Sequence, residues 1–274
     1  MTASQSAFTA LVLAGSRGPQ DPLARALGGT CKALIPVAGV PMLVRVVRSV
    51  SAAPRVAKIV VSSDDPASLS ALPELAALVE SGVLGFHHSR RSPAESVVDY
   101  VTRLSRGEPL LVTTADHPLL TAEMVDYFCV AAHESGAEVA AGVMAASLFS
   151  ACYPESRRTF IRLRGEGFCG TNLFSLHTPR AVAAAQFWSH AGQFRKRPWR
   201  LVSTFGLSTL ALFALRRLDL HAAVARVSQI LGVRVAAVRM PFAECAIDVD
   251  NEADLALATR ILRTREGDRG RQWL

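Results

Sequence analysis

A lone lysine closing a glycine-rich loop and three aspartates at the ends of apolar runs are residue types suited to phosphate chemistry. Asp116 follows the apolar run in LLVTTADHPLL. At a strand end a carboxylate can hold a divalent metal beside a bound polyphosphate; the same placement suits a helix N-cap or a turn. His117 next to it reads either as a ligand or as a solvated loop histidine. In ECAIDVDNEADLALA, strand alternation puts Asp248 and Asp250 on one face. With Asp116 they would form a hard-metal site; alone, the stretch is a helix start capped by Asp250 or Asn251.

The lysine is Lys32. Residues 15–32 hold four glycines, two prolines and two arginines, and sixteen residues lie between Gly15 and Lys32. Connections in compact domains take about 4–6 residues, so a long cationic loop after the first strand reads as functional. A glycine there lets backbone N–H groups approach a phosphate, and Arg or Lys supplies the charge. The loop lacks both G-x-x-x-x-G-K-[ST] and G-x-G-x-x-G, which excludes a P-loop and the dinucleotide fingerprint. On composition alone it is equally a surface loop.

The elements around these residues follow from pattern. Strands are expected at 8–14, 57–62, 83–86, 109–115 and 137–144, and helices at 41–52, 66–80, 94–106 and 121–135. This alternation implies βαβ units and a mainly parallel sheet, with ligands at the carboxyl ends of strands. Short strands should surround Gly170, and 179–231 should be a helical insertion. A strand pair (233–239, 244–249) and a helix from about 251 follow, with a frayed basic tail over about 264–274. With no linker or repeat, the 274 residues read as one domain.

Half of the residues are hydrophobic and 19% charged, which excludes a disordered chain. The net charge of +7 suits an anionic small substrate, a nucleic acid or a membrane surface. Five cysteines form no C-x-x-C pair, so reduced thiols and a cytoplasmic location are expected. The N-terminus shows no basic n-region and reads as no signal peptide.

In order and separation, LVLAGSRG…KALIPVAGVPML, TTADHPLL, GTNLF and IDVDNEADL resemble the nucleotidyltransferase superfamily. It includes molybdenum-cofactor guanylyltransferases, methylerythritol-phosphate cytidylyltransferases, and sugar- and inositol-phosphate nucleotidyltransferases. The likeness spans roughly residues 8–178 and 233–260. It implies an α/β fold with a Rossmann-like sheet flanked by helices. It also implies transfer of a nucleoside monophosphate from an NTP, with CTP favoured, to a phosphorylated small molecule or lipid-precursor alcohol. Pyrophosphate would be released, Mg²⁺ required, and no nucleic acid bound.

By position, Leu13, Ala14, Gly15 and Ser16 would meet the nucleotide and Lys32 its phosphates, with Arg17 and Arg25 competing for an arginine role. Asp116 and Asp250 would hold the metal, Asp248 beside them, and Asn172 would lie on the acceptor side. SPAESVVDYV resembles a segment that sets a serine over the nucleotide, making Glu95 and Ser96 candidates; it is equally a plain helix start. In the insertion, Arg195, Lys196 and Arg197 precede an apolar helix. They form either a solvated turn on a core helix or a contact with the acceptor or a membrane surface. A nucleotide-sugar glycosyltransferase, using DVD as its metal triplet, and a non-catalytic nucleotide-binding protein are the alternatives.

Overall fold

The computed structural model describes residues 7–15, 21–27, 31–105, 107–187 and 204–271, the last five as backbone alone. The strands are β1 (Phe8–Leu13), β2 (Pro36–Val37), β3 (Val40–Pro41), β4 (Val56–Ser63) and β5 (Leu84–His88). They continue with β6 (Leu110–Thr114), β7 (Val139–Ala145), β8 (Ile161–Arg162), β9 (Gly167–Leu176) and β10 (Val235–Arg239). The helices are α1 (Pro22–Ala26), α2 (Met42–Ser51), α3 (Pro66–Ser70), α4 (Ala76–Glu80) and α5 (Pro93–Val101). After these come α6 (Ala122–Glu134), α7 (Ala146–Cys152), α8 (Leu207–Ala214), α9 (Leu220–Leu231) and α10 (Glu252–Arg271).

Eight strands form one sheet in the order β10-β7-β9-β6-β1-β4-β5, with β8 paired to β9. β1, β4, β5 and β6 run parallel, as do β7 and β10, whereas β9 runs antiparallel to both β6 and β7. β1 (FTALVL) is apolar on both faces because helices cover both. Ala10 and Val12 pack on one face with Leu43 and Val47 of α2, and Leu11 on the other with Val97 and Tyr100 of α5.

Where β9 passes β7, pairing jumps from Ala141↔Phe174 to Val143↔Gly170. This bulge holds Asn172 in the left-handed region (φ 53), which Asn tolerates. Gly142 opposite has no room for a side chain: a Cβ there would lie 2.2 Å from Thr171 Oγ1.

Several expectations change. The helix expected at 66–80 is split, because Pro73 starts a 3₁₀ turn between α3 and α4. Residues 94–106 hold a helix only to Val101. The short strands expected around Gly170 are one ten-residue strand, β9, with the two-residue β8 beside it. Residues 244–249 form no strand: a 3₁₀ turn covers Ala243–Ala246, and the buried Ile247 and Val249 pack beneath α10 without pairing to the sheet. The C-terminal helix α10 is described to Arg271. Within 179–231 the described residues include α8 and α9.

Candidate active site

The site forms where neighbouring strands end together. Ala14, just past β1, donates its N–H to Ser62 O of β4 at 2.8 Å, and Ala115 N–H donates to Leu13 O at 2.9 Å. Asp116 therefore emerges from β6 beside the start of the glycine-rich loop. A further bond, Val249 N–H to Asp116 O at 2.9 Å, draws the 248–250 segment to the same end of the sheet.

Lys32 joins the two. Its Nζ donates to Asp116 Oδ2 at 2.7 Å and to Asp250 Oδ1 at 2.6 Å. Burial pulls the lysine pKa down, but the carboxylates of Asp116 and Asp250 outweigh it and the value is raised. The ammonium thus stays charged at neutral pH.

Asp250 does not serve as the helix cap. Asn251 is the cap of α10, its Oδ1 accepting Asp254 N–H at 3.0 Å. Asp254 in turn accepts the Asp250 N–H at 3.2 Å, much as in a capping box.

Asp116 Oδ1 is buried and bonds to no described residue. Two carboxylates converging on one cation, with an unused oxygen, fit a hard divalent ion such as magnesium. Among the described residues no group of three His, Cys, Asp or Glu could hold such an ion. Magnesium commonly takes one or two carboxylates and draws its other ligands from phosphate and water, so Asp116 and Asp250 are the residues that could contribute to holding it.

Asp248 has a different partner from the one expected. Its Oδ1 accepts Arg158 Nη1–H at 2.6 Å, and Arg158 Nη2 donates to Asp248 O and to Asp254 Oδ1. Burial raises the Asp248 pKa; Arg158 lowers it, and the charges of Asp250 and Asp116 raise it further. Strand alternation does not apply to this segment, so Asp248 and Asp250 turn to different cations.

His117 is not a solvated loop residue. It is buried, its Nε2–H donates to Glu244 O at 3.2 Å, and burial lowers its pKa, keeping it neutral. Ser96 is buried too. Its hydroxyl accepts Arg90 N–H at 2.8 Å and donates to Ser92 O, so it locks the β5–α5 turn. Glu95 is exposed and lines an open groove of about 490 Å³ with Arg90, Asp99 and Gln186.

Arg25 is exposed on α1, and Asn172 is half-buried on β9. A Cβ at Gly15 would lie 3.6 Å from Ser89, ordinary contact, so the protein itself does not demand glycine there. Ser16, Arg17, Arg195, Lys196 and Arg197 lie outside the described residues.

Sequence reasoning missed two networks. One is Arg158 with Asp248 and Asp254. The other is a buried row, His87 Nδ1 3.0 Å from Ser62 Oγ and Nε2 2.7 Å from Asp99 Oδ2. His87 and Arg90 hold the Asp99 carboxyl well below the usual carboxylate range. Ser62 is only 1% exposed, so this row braces the strand end under Ala14 and presents no nucleophile to solvent. No local signal announces either network, because the partners are far apart in sequence.

Residues 10–169 match the model of the MobA-like NTP transferase domain. No curated protein matches the chain. A hypothetical transferase from Thermus thermophilus is 30% identical with a TM-score of 0.74, covering 91% of this chain and 99% of that one. Two structures share the fold at lower identity. One is 4-diphosphocytidyl-2C-methyl-D-erythritol synthase from Anaerococcus prevotii (12% identity, TM-score 0.55, covering 94% and 97%). The other is CMP:2-keto-3-deoxy-manno-octonic acid synthetase complexed with CTP (14%, 0.54, 96% and 100%). With more than half of its length matched, on the sheet that brings Lys32, Asp116 and Asp250 together, the chain belongs to the MobA-like NTP transferase domain family.

Proposed function

We propose that this protein moves a nucleoside monophosphate from an NTP to a phosphorylated small molecule, with CTP the favoured donor. The observation that carries this reading is the Lys32 ammonium held between Asp116 and Asp250 at the strand ends. CTP is favoured because two structures of the same fold bear names of cytidine-nucleotide enzymes, one of them complexed with CTP.

An oxygen of the acceptor phosphate attacks the α-phosphorus, a new P–O bond forms, the bond to the β-phosphate bridging oxygen breaks, and pyrophosphate leaves. Two anions must meet, so positioning and neutralisation carry the rate. Lys32 supplies a fixed positive charge toward the phosphates, and its short bonds to two carboxylates orient it before substrate arrives. The acceptor phosphate is already ionised, so no general base is needed. Asp116 and Asp250 would hold a magnesium ion, which when bound supplies further charge neutralisation to the triphosphate.

The division of DVD between Arg158 and Lys32 disfavours a paired D-x-D metal motif, and with it the glycosyltransferase alternative. The deciding experiment incubates the protein and Mg²⁺ with each of four NTPs and a panel of phosphorylated alcohols. Pyrophosphate release that needs both substrates, greatest with CTP, is the expected result. NTP binding without release under any pairing would make it a binding protein.

A further inference from the structure

Helix α8 (Leu207–Ala214) carries an apolar sequence, LSTLALFA, yet buries none of its residues. Leu207 is 74% exposed, Leu212 43%, Phe213 41% and Leu215 66%, and every residue from 211 to 217 is exposed. Soluble surfaces tolerate scattered apolar side chains but seldom a contiguous patch of them.

The helix is tethered at both ends. Before it, Arg226 Nε donates to Phe205 O at 3.0 Å. After it, Arg216 takes a left-handed conformation (φ 54), and Arg217 and Leu218 both donate their N–H to Leu212 O. Leu218 is then buried against Leu163 and Phe168. An apolar projection is thus pinned to the body, with two arginines at its tip.

We propose that α8 and the turn after it dock on an anionic lipid surface, the apolar side chains entering the acyl boundary and Arg216 and Arg217 meeting headgroup phosphates. Two observations favour lipid over a protein partner. Exposure runs all the way round the last turn of the helix, residues 211–214, and on through 217; a rigid partner covers one side only, whereas a fluid surface covers all. An eight-residue helix, about 12 Å long and about 10 Å wide, also presents a footprint on the order of 120 Å², well short of the roughly 800 Å² per partner of a stable protein interface. The charge agrees as well, with arginines beside the patch on a chain of net charge +7. Among the described residues no helix is long and apolar enough to cross a membrane, so the contact is peripheral.

The test is sedimentation of the full chain with vesicles of phosphatidylglycerol and phosphatidylcholine in equal parts, and with phosphatidylcholine alone. Binding to the anionic vesicles that weakens as salt rises is expected. Leu212→Gln/Phe213→Gln/Leu215→Gln should lower the partition coefficient at least about tenfold, since each change replaces an exposed apolar side chain that the acyl boundary would bury. Arg216→Gln/Arg217→Gln should lower it about 25-fold, from about fivefold per arginine. All five side chains are exposed, so thermal unfolding of both variants should match the parent. Absence of anionic-vesicle binding by the parent, or equal binding by parent and variants, overturns the proposal. So does a dimer, seen by analytical ultracentrifugation, that the triple variant dissociates; a second copy of the chain would then be the occupant. Pyrophosphate release is read separately from vesicle binding, so either result stands without the other.

Discussion

Lys32 Nζ lies 2.7 Å from Asp116 Oδ2, although 84 residues separate them in sequence. The two sit at the exits of neighbouring chain segments, and a second carboxylate, Asp250, closes on the same ammonium at 2.6 Å from 218 residues away. A lysine shared by two acids is held charged and in place, which is what a group that neutralises transferring phosphates requires.

Lys32→Ala should therefore lower kcat by about 10²–10³, the cost of removing one preorganised charge donor. Steady-state pyrophosphate release, with circular dichroism to confirm the fold, checks this. Near-normal turnover in a folded variant would remove Lys32 from the mechanism.

Asp116→Asn and Asp250→Asn should each raise the Mg²⁺ concentration needed for half-maximal rate. The double variant should be little worse than either single one, as for residues acting as a unit. Asp250→Asn should leave α10 intact because Asn251, not Asp250, caps it. Multiplicative losses, or activity that survives chelation, would show that the two carboxylates do not share an ion.

The parallel half of the sheet was legible because β1, β4 and β6 carry apolar residues on both faces, a pattern only a doubly covered sheet produces. Lys32, Asp116 and Asp250 were legible as motif positions; the sheet sets Asp116 beside the glycine-rich loop, but Asp250 arrives on an unpaired segment through the Val249 N–H bond to Asp116 O. What stayed hidden depends on partners. Periodicity tells which residues bury but not what they bury against: Cys245, Ile247 and Val249 alternate like a strand, yet Ile247 and Val249 pack beneath α10 and Cys245 joins the core on the sheet, with no ladder. Asp248 was grouped with Asp250 for the same reason, and its real partner, Arg158, is 90 residues away. The antiparallel entry of β9 between β6 and β7 has no local signature beyond the GTN bulge that accommodates it.

That bulge gives a sharp stability test. Gly142→Ala puts a Cβ 2.2 Å from Thr171 Oγ1, an overlap costing about 1–3 kcal/mol. Thr171→Ala should cost far less, because its buried hydroxyl bonds to no described residue. The double variant should regain most of the loss, since the clashing atom is gone. Urea unfolding of all three gives the coupling energy, and strict additivity would show that the strand relaxes around the added methyl group by another route.

Arg158 offers the most diagnostic pH dependence. It is the cation for both Asp248 and Asp254 and is itself largely buried, so Arg158→Gln leaves two acids in a poorly hydrated place. Breaking such a pair costs about 3 kcal/mol at neutral pH. The Asp248 pKa is already raised in the fold above the ordinary 3.8, chiefly by burial, and Arg158 works against that rise. Without Arg158 the value climbs further, so the protonated acid is the form the folded variant prefers. For a group with a raised folded pKa, the favourable contribution is fully present below the unfolded value and is lost as pH rises through the folded one. The variant's deficit should accordingly be small at pH 4 and grow toward pH 7, when ionised Asp248 faces Asp116 and Asp250 without its guanidinium. Urea midpoints of parent and variant across that range measure the gap. Because Asp254 also accepts the Asp250 N–H, loss of Arg158 should in addition loosen Asp250 and raise the Mg²⁺ requirement. A gap that stays constant with pH would mean that Arg158 acts only through packing.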